Sequence, residues 1–260
     1  MKKLRFQYTT KLTFDNNVYN HSFALRCVPV ENAAQKCEDF SFKISPYVST
    51  NRTVDAFGNI VLSGLVKEDH RFLDFEVAGV AVIDSTQIRN DFMPCYKYQS
   101  EYTKPGDALK AFYEEIVSGC DSKDPSVRTE YFSKKLSEKF TYQKNTTDIS
   151  TTAEEAFKQG CGVCQDYSHI LLSILRMDGI PCRYKAGLAC CDGESHSWVD
   201  VWLGDRWKGY DPTNLCEASE TYLSLTQGRD FGDCAIDRGV MYGSYTRQMQ
   251  LVDSRLVETF

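Results

Sequence analysis

The sequence contains no run of about 18 consecutive apolar residues, the length that a membrane-spanning helix requires. It also lacks an excess of positive charge, because 30 Lys and Arg residues against 36 Asp and Glu residues give a formal net charge of −6. Nucleic-acid binding needs a basic face, so we expect neither a nucleic acid nor a membrane as partner. Neither a Gly-rich phosphate loop nor an EF-hand calcium loop is present, so we expect no cofactor and no metal.

The N-terminal residues and the cysteines indicate a cellular compartment. Residues 1–11 carry positive charge but no apolar segment of the kind that a secretory signal needs, so we expect a cytoplasmic protein. The 11 cysteines are an odd number, and a chain of 260 residues can build its core without disulfides. We therefore expect free thiols, most of them buried as small apolar side chains and at least one of them reactive.

Residues 1–97 have the pattern of short β-strands separated by turns. Phe40, Phe42 and Ile44 alternate with polar residues, as in a half-buried strand. Polar clusters at residues 15–17 and 55–59 are typical of turns between strands. This pattern predicts an N-terminal antiparallel β-sandwich module with no catalytic residues.

Residues 98–260 combine helical and strand patterns and predict a second domain of the α+β class. Apolar residues recur at helical spacing over residues 106–118, and Asp124-Pro125 is a helix start. Thr152 followed by Glu155 is typical of the N-terminus of a third, short helix. Alternating patterns return over residues 181–212 and again after Gly239.

Cys164 lies in the first turn of a further predicted helix, which ends at Asp178-Gly179. At that position the helix dipole and the free N–H groups favour a thiolate over a thiol. The same N–H groups could bind an oxyanion that forms beside the sulfur. Cys164 is therefore a candidate nucleophile, although buried cysteines at helix starts are also common.

A predicted β-hairpin brings a histidine and an aspartate together. His196 and Trp198 point to one face of an alternating strand, and Gly204-Asp205 forms a two-residue turn. With this turn Trp198 lies opposite Asp211, so His196 is a diagonal neighbour of Asp211 on the same face. The carboxylate can then accept the imidazole N–H and fix its orientation, whereas a register slip of one residue would separate the two. A helix-start cysteine with a histidine and its orienting aspartate is the constellation of thiol acyl transfer.

Four motifs, in this order along the chain, resemble those of the bacterial transglutaminase-like proteins, a family often described as putative cysteine proteases. They are Gly162-Val163-Cys164-Gln165-Asp166-Tyr167-Ser168-His169, Leu175-Arg176-Met177-Asp178-Gly179-Ile180-Pro181-Cys182-Arg183-Tyr184, Ser195-His196-Ser197-Trp198-Val199-Asp200-Val201 and Gly209-Tyr210-Asp211-Pro212-Thr213-Asn214. Residues 1–97 resemble the N-terminal β module of the same family. The resemblance implies a papain-like transglutaminase core with Cys164 as nucleophile, His196 as base and acid, and Asp211 as orienter.

Three further residues are tentative members of the site. Gln165 follows the nucleophile, so its backbone N–H is a candidate donor to an oxyanion. His169 lies on the polar side of the same helix, where a structural role is the main expectation and substrate positioning the alternative. Trp198 could line the substrate cleft, although packing between sheet and helices is an equally ordinary use of a tryptophan.

Two other classes of function compete with catalysis at Cys164. Cys161 and Cys164 form a C-x-x-C motif that could bind zinc or cycle as a dithiol with other cysteines, including Cys190 and Cys191. A second C-x-x-C at zinc-ribbon spacing is missing, which disfavours zinc. The chain could also be a binding module that keeps the fold without activity, but the intact Cys164, His196 and Asp211 argue against this.

The sequence therefore predicts a transglutaminase-like cysteine enzyme that acts on amide bonds through a thioester at Cys164. We expect a cysteine peptidase or amidase with a peptide or protein substrate. The alternatives are acyl transfer from protein glutamine, which would cross-link proteins, and the non-catalytic binding module.

Overall fold

The computed structural model describes residues 1–87, 91–189, 194–245 and 248–258. In chain order its elements are β1 (Lys2–Leu25), β2 (Gln35–Ser45), β3 (Asn51–Val54), β4 (Ile60–Val66), β5 (His70–Ile83), a short 3-10 helix (Pro94–Lys97), α1 (Asp107–Val117), α2 (Pro125–Lys139), β6 (Thr141–Tyr142), α3 (Ala153–Gln159), β7 (Cys161–Gly162), α4 (Cys164–Met177), β8 (Cys182–Ala189), β9 (His196–Trp202), β10 (Trp207–Asp211), β11 (Cys216–Ala218), β12 (Tyr222–Gly228), α5 (Phe231–Cys234), β13 (Asp237–Gly243) and β14 (Gln248–Glu258).

The long strand β1 is the centre of a seven-stranded antiparallel sheet. Its first half pairs with β5 and β14, and its second half pairs with β4 and β13. From Leu4 to Phe14 the even-numbered residues are buried and the odd-numbered ones face outward, as one buried face requires. Residues from both halves share one hydrophobic cluster. The predicted antiparallel module is confirmed, but its two halves are joined through β1.

The predicted turn at residues 15–17 is wrong, because these residues lie inside β1. They fall between Phe14, the last residue paired with β14, and Val18, the first paired with β13. Asn20 then adopts a positive φ of 47°, and from His21 onward the buried residues of β1 are odd-numbered. The polar cluster therefore marks the place where β1 exchanges partners rather than a chain reversal.

The C-terminal region is a five-stranded antiparallel sheet, in the order β11-β10-β9-β8-β12, that packs against helices α1 to α4. The predicted α+β class is confirmed. The central helix α4 is surrounded, since every residue from Asp166 to Arg176 is buried. Its polar side packs under the segment that precedes α1, where the Arg176 guanidinium donates to Thr103 Oγ1 at 2.7 Å.

The signals for helix ends coincide with the observed ends. Asp124 caps α2 by accepting hydrogen bonds from the backbone N–H groups of Ser126 and Val127, the second and third residues of the helix. Thr152 and Glu155 form the reciprocal capping box of α3. Gly160 and Gly179 follow α3 and α4 with φ values of 77° and 76°, the left-handed conformation that glycine adopts without strain.

Two side-chain amides from the N-terminal module occupy the outer edge of β12, the last strand of the C-terminal sheet. Gln35 accepts a hydrogen bond from Ser224 N and donates to Ser224 O, both at 2.8 Å. Asn59 accepts from Gln227 N at 2.7 Å and donates to Gln227 O at 2.8 Å. Each amide thus makes the two hydrogen bonds that a neighbouring strand would make, so no open edge is left at these positions.

The C-terminus does not stay in the predicted second domain of residues 98–260. β13 and β14 pair with β1 and complete the sheet of the N-terminal module. The physical reason is that β1 is central and must have a hydrogen-bonding partner on both edges. All strands before the predicted boundary near residue 97 therefore belong to the N-terminal sheet. Of the strands after it, β8 to β12 form the second sheet, whereas β13 and β14 join the first.

The nine described cysteines, Cys27, Cys37, Cys95, Cys120, Cys161, Cys164, Cys182, Cys216 and Cys234, are free thiols. Three of them, Cys27, Cys182 and Cys234, are buried, and the others are partly or fully exposed. The prediction that most thiols are buried is therefore wrong for the described residues.

None of the helices in the described part of the chain is both long and apolar enough to cross a membrane.

The amide of Asn59 gives a test of the contact between module and sheet. Asn59→Ala removes both hydrogen bonds to Gln227 and leaves two backbone groups of a buried residue unpaired, so we expect urea denaturation to show a loss of about 2–4 kcal/mol in the free energy of unfolding. Asn51→Ala, at an exposed position of the same hairpin, is the control and should change stability by less than about 0.5 kcal/mol. Equal losses in both variants would contradict the edge contact.

Candidate active site

Cys164 is the first residue of α4 and is partly exposed. The start of this helix is fixed by the Asp166 carboxylate, which accepts hydrogen bonds from Val163 N and from the Thr147 hydroxyl, both at 2.7 Å. Burial raises the pKa of Asp166, and these two donors offset part of that effect. The predicted placement of Cys164 at a helix N-terminus is observed.

The hairpin β9–β10 has the predicted register. Val199 pairs with Tyr210 and Val201 with Lys208, so the next pair outward brings Trp198 opposite Asp211. His196 Nε2 donates to Asp211 Oδ2 at 2.7 Å. Because Nε2 is engaged by the carboxylate, Nδ1 is the ring nitrogen left for the thiol.

Asp211 is held by more groups than His196 alone. Its Oδ1 accepts the backbone N–H groups of Thr213 and Asn214 at 2.9 and 3.1 Å. Its Oδ2 also accepts from the Asn214 side-chain amide at 2.7 Å and from the Tyr222 hydroxyl at 2.8 Å. Neither side chain was predicted from the sequence as a partner of Asp211. The Asn214 contact could have been predicted from the sequence, since an amide soon after an aspartate is a common turn partner. The Tyr222 contact could not, because Tyr222 comes from another strand.

The charges of the three side chains support one another. Burial disfavours the thiolate of Cys164, but the hydrogen bond and positive charge of His196, together with Ser197, hold the pKa of the thiol below its ordinary value. Burial would lower the pKa of His196, yet Asp211 and Cys164 raise it to about 10. The pKa of Asp211 is lowered, because its bonds to His196, Asn214 and Tyr222 outweigh its burial. These pKa shifts favour a resting site in which a thiolate–imidazolium pair lies next to a carboxylate.

The N-terminus of α4 supplies donors beside the thiol. The backbone N–H groups of Cys164 and Gln165 lie in the first turn of the helix, where no intrahelical acceptor exists. The side chain of Gln165 also has a buried amide nitrogen with no hydrogen-bond partner in the described part of the chain. Ser197, which was not predicted from the sequence, also contributes through its backbone and its hydroxyl to the lowered pKa of the thiol.

The structure does not support substrate contact by His169. The residue is fully buried, its ring lies 5.2 Å from those of Tyr102 and Tyr184, and its Nε2 accepts from Phe231 N at 3.1 Å. Burial and the charge of Arg176 lower the pKa of His169 to about 3, so the ring is neutral. These contacts agree with a structural role for His169, the main expectation from the sequence.

Trp198 also lies behind the site rather than in contact with substrate. Its side chain is 3% exposed and packs edge-on against Tyr222, with ring centroids 5.3 Å apart. It borders a cavity of about 630 Å³ between the N-terminal module and the C-terminal sheet, whose lining includes Gln35 and Tyr222 but not Cys164 or His196. Packing buries most of the ring, and the expectation that Trp198 lines the substrate cleft stays a prediction.

The zinc alternative finds no ligand set in the described residues, where no three His, Cys, Asp or Glu side chains come together in a way that could hold a metal ion. Cys161 lies in β7 and accepts a weak hydrogen bond from the Gln159 amide at 3.8 Å. Cys190 and Cys191, which the zinc and dithiol alternatives included, lie outside the described residues.

Comparison with protein families gives separate matches for the N-terminal module and for the core. Residues 4–82 match the model of the bacterial transglutaminase-like N-terminal region, and residues 110–212 match that of the transglutaminase-like superfamily. The second match contains Cys164, His196 and Asp211.

One relative of known sequence covers nearly the whole chain, and another covers less than half of it. The chain is 25% identical over 276 aligned residues to the uncharacterized protein ML0607 of Mycobacterium leprae (strain TN), covering 97% of this chain and 98% of that protein. It is 31% identical over 119 residues to the uncharacterized protein Rv2569c of Mycobacterium tuberculosis (strain ATCC 25618 / H37Rv), covering 40% of this chain and only 38% of that protein.

A solved structure has the same fold. The crystal structure of a putative cysteine protease from Cytophaga hutchinsonii aligns with a TM-score of 0.74 over 97% of this chain and 90% of that chain. With 17% sequence identity, this likeness is evidence of the fold alone. Together with the two family matches, this likeness confirms the predicted fold of a transglutaminase-like core preceded by an N-terminal module. Residues 110–212 therefore belong to the transglutaminase-like superfamily, and residues 4–82 form the bacterial transglutaminase-like N-terminal region that precedes this core.

Proposed function

We propose that the protein is a cysteine peptidase or amidase that cleaves an amide bond of a peptide or protein through a thioester at Cys164. The observation that carries the proposal is the 2.7 Å hydrogen bond from His196 Nε2 to Asp211 Oδ2, with the other side of the imidazole interacting with a thiol at a helix N-terminus. This arrangement contains a nucleophile, an acid–base group and an orienter in one contact chain.

The first half of the reaction forms the thioester. The Cys164 thiolate attacks the amide carbonyl carbon, a C–S bond forms, and the carbonyl oxygen becomes an oxyanion. The backbone N–H groups of Cys164 and Gln165 are placed to donate to that oxyanion. The proton on His196 Nδ1 passes to the amide nitrogen, the C–N bond breaks, and the amine leaves.

The second half returns the enzyme to its resting state. Neutral His196 takes a proton from a water molecule, whose oxygen attacks the thioester carbonyl. The C–S bond then breaks, the acid product leaves, and the thiolate–imidazolium pair is restored. Asp211 stays ionised throughout and stabilises the imidazolium each time it forms. If a second amine replaces water in this step, the same residues carry out transamidation.

The low pKa of the Cys164 thiol predicts selective alkylation. We expect iodoacetamide to label Cys164 faster than the other cysteines near pH 6–7, where a free thiol with a pKa of about 8.5 is mostly protonated. His196→Ala removes the imidazolium and leaves the burial, so labelling of Cys164 near neutral pH should slow by roughly tenfold or more. Mass spectrometry of the modified peptides measures both rates.

Cys161→Ala is the matched control, because it removes the other thiol of the C-x-x-C motif and leaves the pair with His196 intact. Slow labelling of Cys164 in the wild-type protein, or equal slowing in His196→Ala and Cys161→Ala, would contradict an activated thiolate.

The two shifted pKa values predict a bell-shaped dependence of kcat/KM on pH. Below the lowered pKa of Cys164 the thiol is neutral and activity falls; above about pH 10 His196 loses the proton that the leaving amine needs. Asp211→Asn keeps the shape of the side chain but removes its charge, so the alkaline limb should move to lower pH and kcat should fall by roughly 10²–10⁴-fold. Hydrolysis of a library of peptide and glutamine amides, followed by release of amine or ammonia, measures both effects.

Cys164→Ala should abolish turnover while circular dichroism shows an intact fold. Incorporation of heavy oxygen from labelled water into the acid product would support hydrolysis. Incorporation of an added primary amine into the product, instead of the heavy oxygen, would support transamidation. Turnover that survives in Cys164→Ala would contradict the proposal.

A further inference from the structure

The edge strand β12 contacts the N-terminal module, and it also contacts Asp211. We call Cys164, His196 and Asp211 the triad. Tyr222 begins the strand, and Ser224 lies two residues later. Both backbone groups of Ser224 are bound by the Gln35 amide, and Ser224 O also accepts from Val30 N at 3.0 Å. Gln35 is 5% exposed and donates a further hydrogen bond to Val30 O at 2.7 Å, so its amide is fixed on both sides.

From β12, Tyr222 extends across the sheet to the catalytic hairpin. Its hydroxyl donates to Asp211 Oδ2 at 2.8 Å, the same oxygen that accepts from His196. Trp198 packs edge-on against the Tyr222 ring, and the ring of His196 lies 6.2 Å from it. The position of the hydroxyl therefore depends on where the start of β12 is held.

We propose that the N-terminal module positions the triad: the Gln35 amide fixes Ser224 at the edge of the catalytic sheet and thereby holds the Tyr222 hydroxyl on Asp211. Gln35 and Tyr222 are then positioning residues, since neither touches the reacting atoms. The inference rests on the proposed function, because it assigns a role toward the same three catalytic side chains.

The chemical consequence has a definite sign. A donor on Asp211 Oδ2 withdraws negative charge from the carboxylate and weakens its pull on the imidazolium. When the Tyr222 hydroxyl is lost or moves away, Asp211 becomes more basic and His196 holds its proton more tightly. Asp211 itself stays in place, because the N–H groups of Thr213 and Asn214 still bind its Oδ1.

The alkylation of Cys164 by iodoacetamide as a function of pH tests this in the full-length protein. Its profile has a lower inflection where the thiolate forms and an upper one where His196 loses its proton. We expect Tyr222→Phe to raise the upper inflection by roughly half a pH unit, and Gln35→Ala to raise it by a smaller amount. If Gln35 acts through Tyr222, the double variant should match Tyr222→Phe alone.

Asn59→Ala is the matched control, because Asn59 binds the same strand edge at Gln227, five residues from Tyr222. It should lower stability while leaving the upper inflection unchanged. An equal shift in Asn59→Ala and Gln35→Ala, or additive shifts in the double variant, would overturn the inference. Tyr222→Phe alters one hydroxyl only, so an unshifted inflection there overturns it even if Gln35→Ala does not fold.

The same data separate this inference from the proposed function. If wild-type Cys164 reacts as an ordinary thiol with one inflection, the thiolate–imidazolium pair does not exist and both fail. If the wild-type protein shows two inflections that none of the variants moves, the pair stands and only the positioning role fails.

Discussion

The buried carboxylate of Asp211 is the group on which the site depends. A carboxylate with 1% exposure can stay ionised only if donors surround it. Here His196, Asn214 and Tyr222 supply side-chain donors, and Thr213 and Asn214 supply backbone ones. Because the carboxylate remains charged, it raises the pKa of His196, and the imidazolium in turn lowers the pKa of the Cys164 thiol. The thiolate that we propose therefore depends on how Asp211 is held.

The hairpin and the helix start that carry these groups are formed by contacts between residues close in sequence. A two-residue turn fixes the register of the β9–β10 hairpin, and that register alone places His196 beside Asp211. A capped helix start presents Cys164 with free N–H groups. The family resemblance and the local patterns therefore indicate the same three residues, Cys164, His196 and Asp211. Both depend on the hairpin and the helix start, which are formed by residues close in sequence.

Apart from the bond between Asn214 and Asp211, the contacts that the sequence did not predict join residues far apart in the chain. Gln35 meets Ser224 across 189 positions, and Asn59 meets Gln227 across 168. A glutamine and an asparagine that imitate a neighbouring strand have no periodic signature, so no local pattern reveals them. The same limit applies to β13 and β14, whose place beside β1 follows from the need of a central strand for two partners. The polar residues 15–17 were misassigned because a change of pairing partner has the same composition as a turn.

Burial also decided what the sequence left open. His169 and Trp198 have side chains that could bind a substrate, but aromatic neighbours enclose both, and burial keeps His169 uncharged. The N-terminal module covers the edge of the sheet that carries His196 and Asp211, and it contacts the strand that bears Tyr222. In this account the two regions function as one unit, with the module supporting the geometry of the core.

The most direct test of the central claim is the ultraviolet absorbance of the thiolate. The difference in absorbance between the wild-type protein and Cys164→Ala, followed from acid to alkaline pH, reports the charge on Cys164 without any substrate or reagent. The account predicts that this thiolate persists well below the pKa of about 8.5 of a free cysteine and that His196→Ala abolishes it at neutral pH. Titration of Cys164 at or above the ordinary value in the wild-type protein would contradict the thiolate–imidazolium pair.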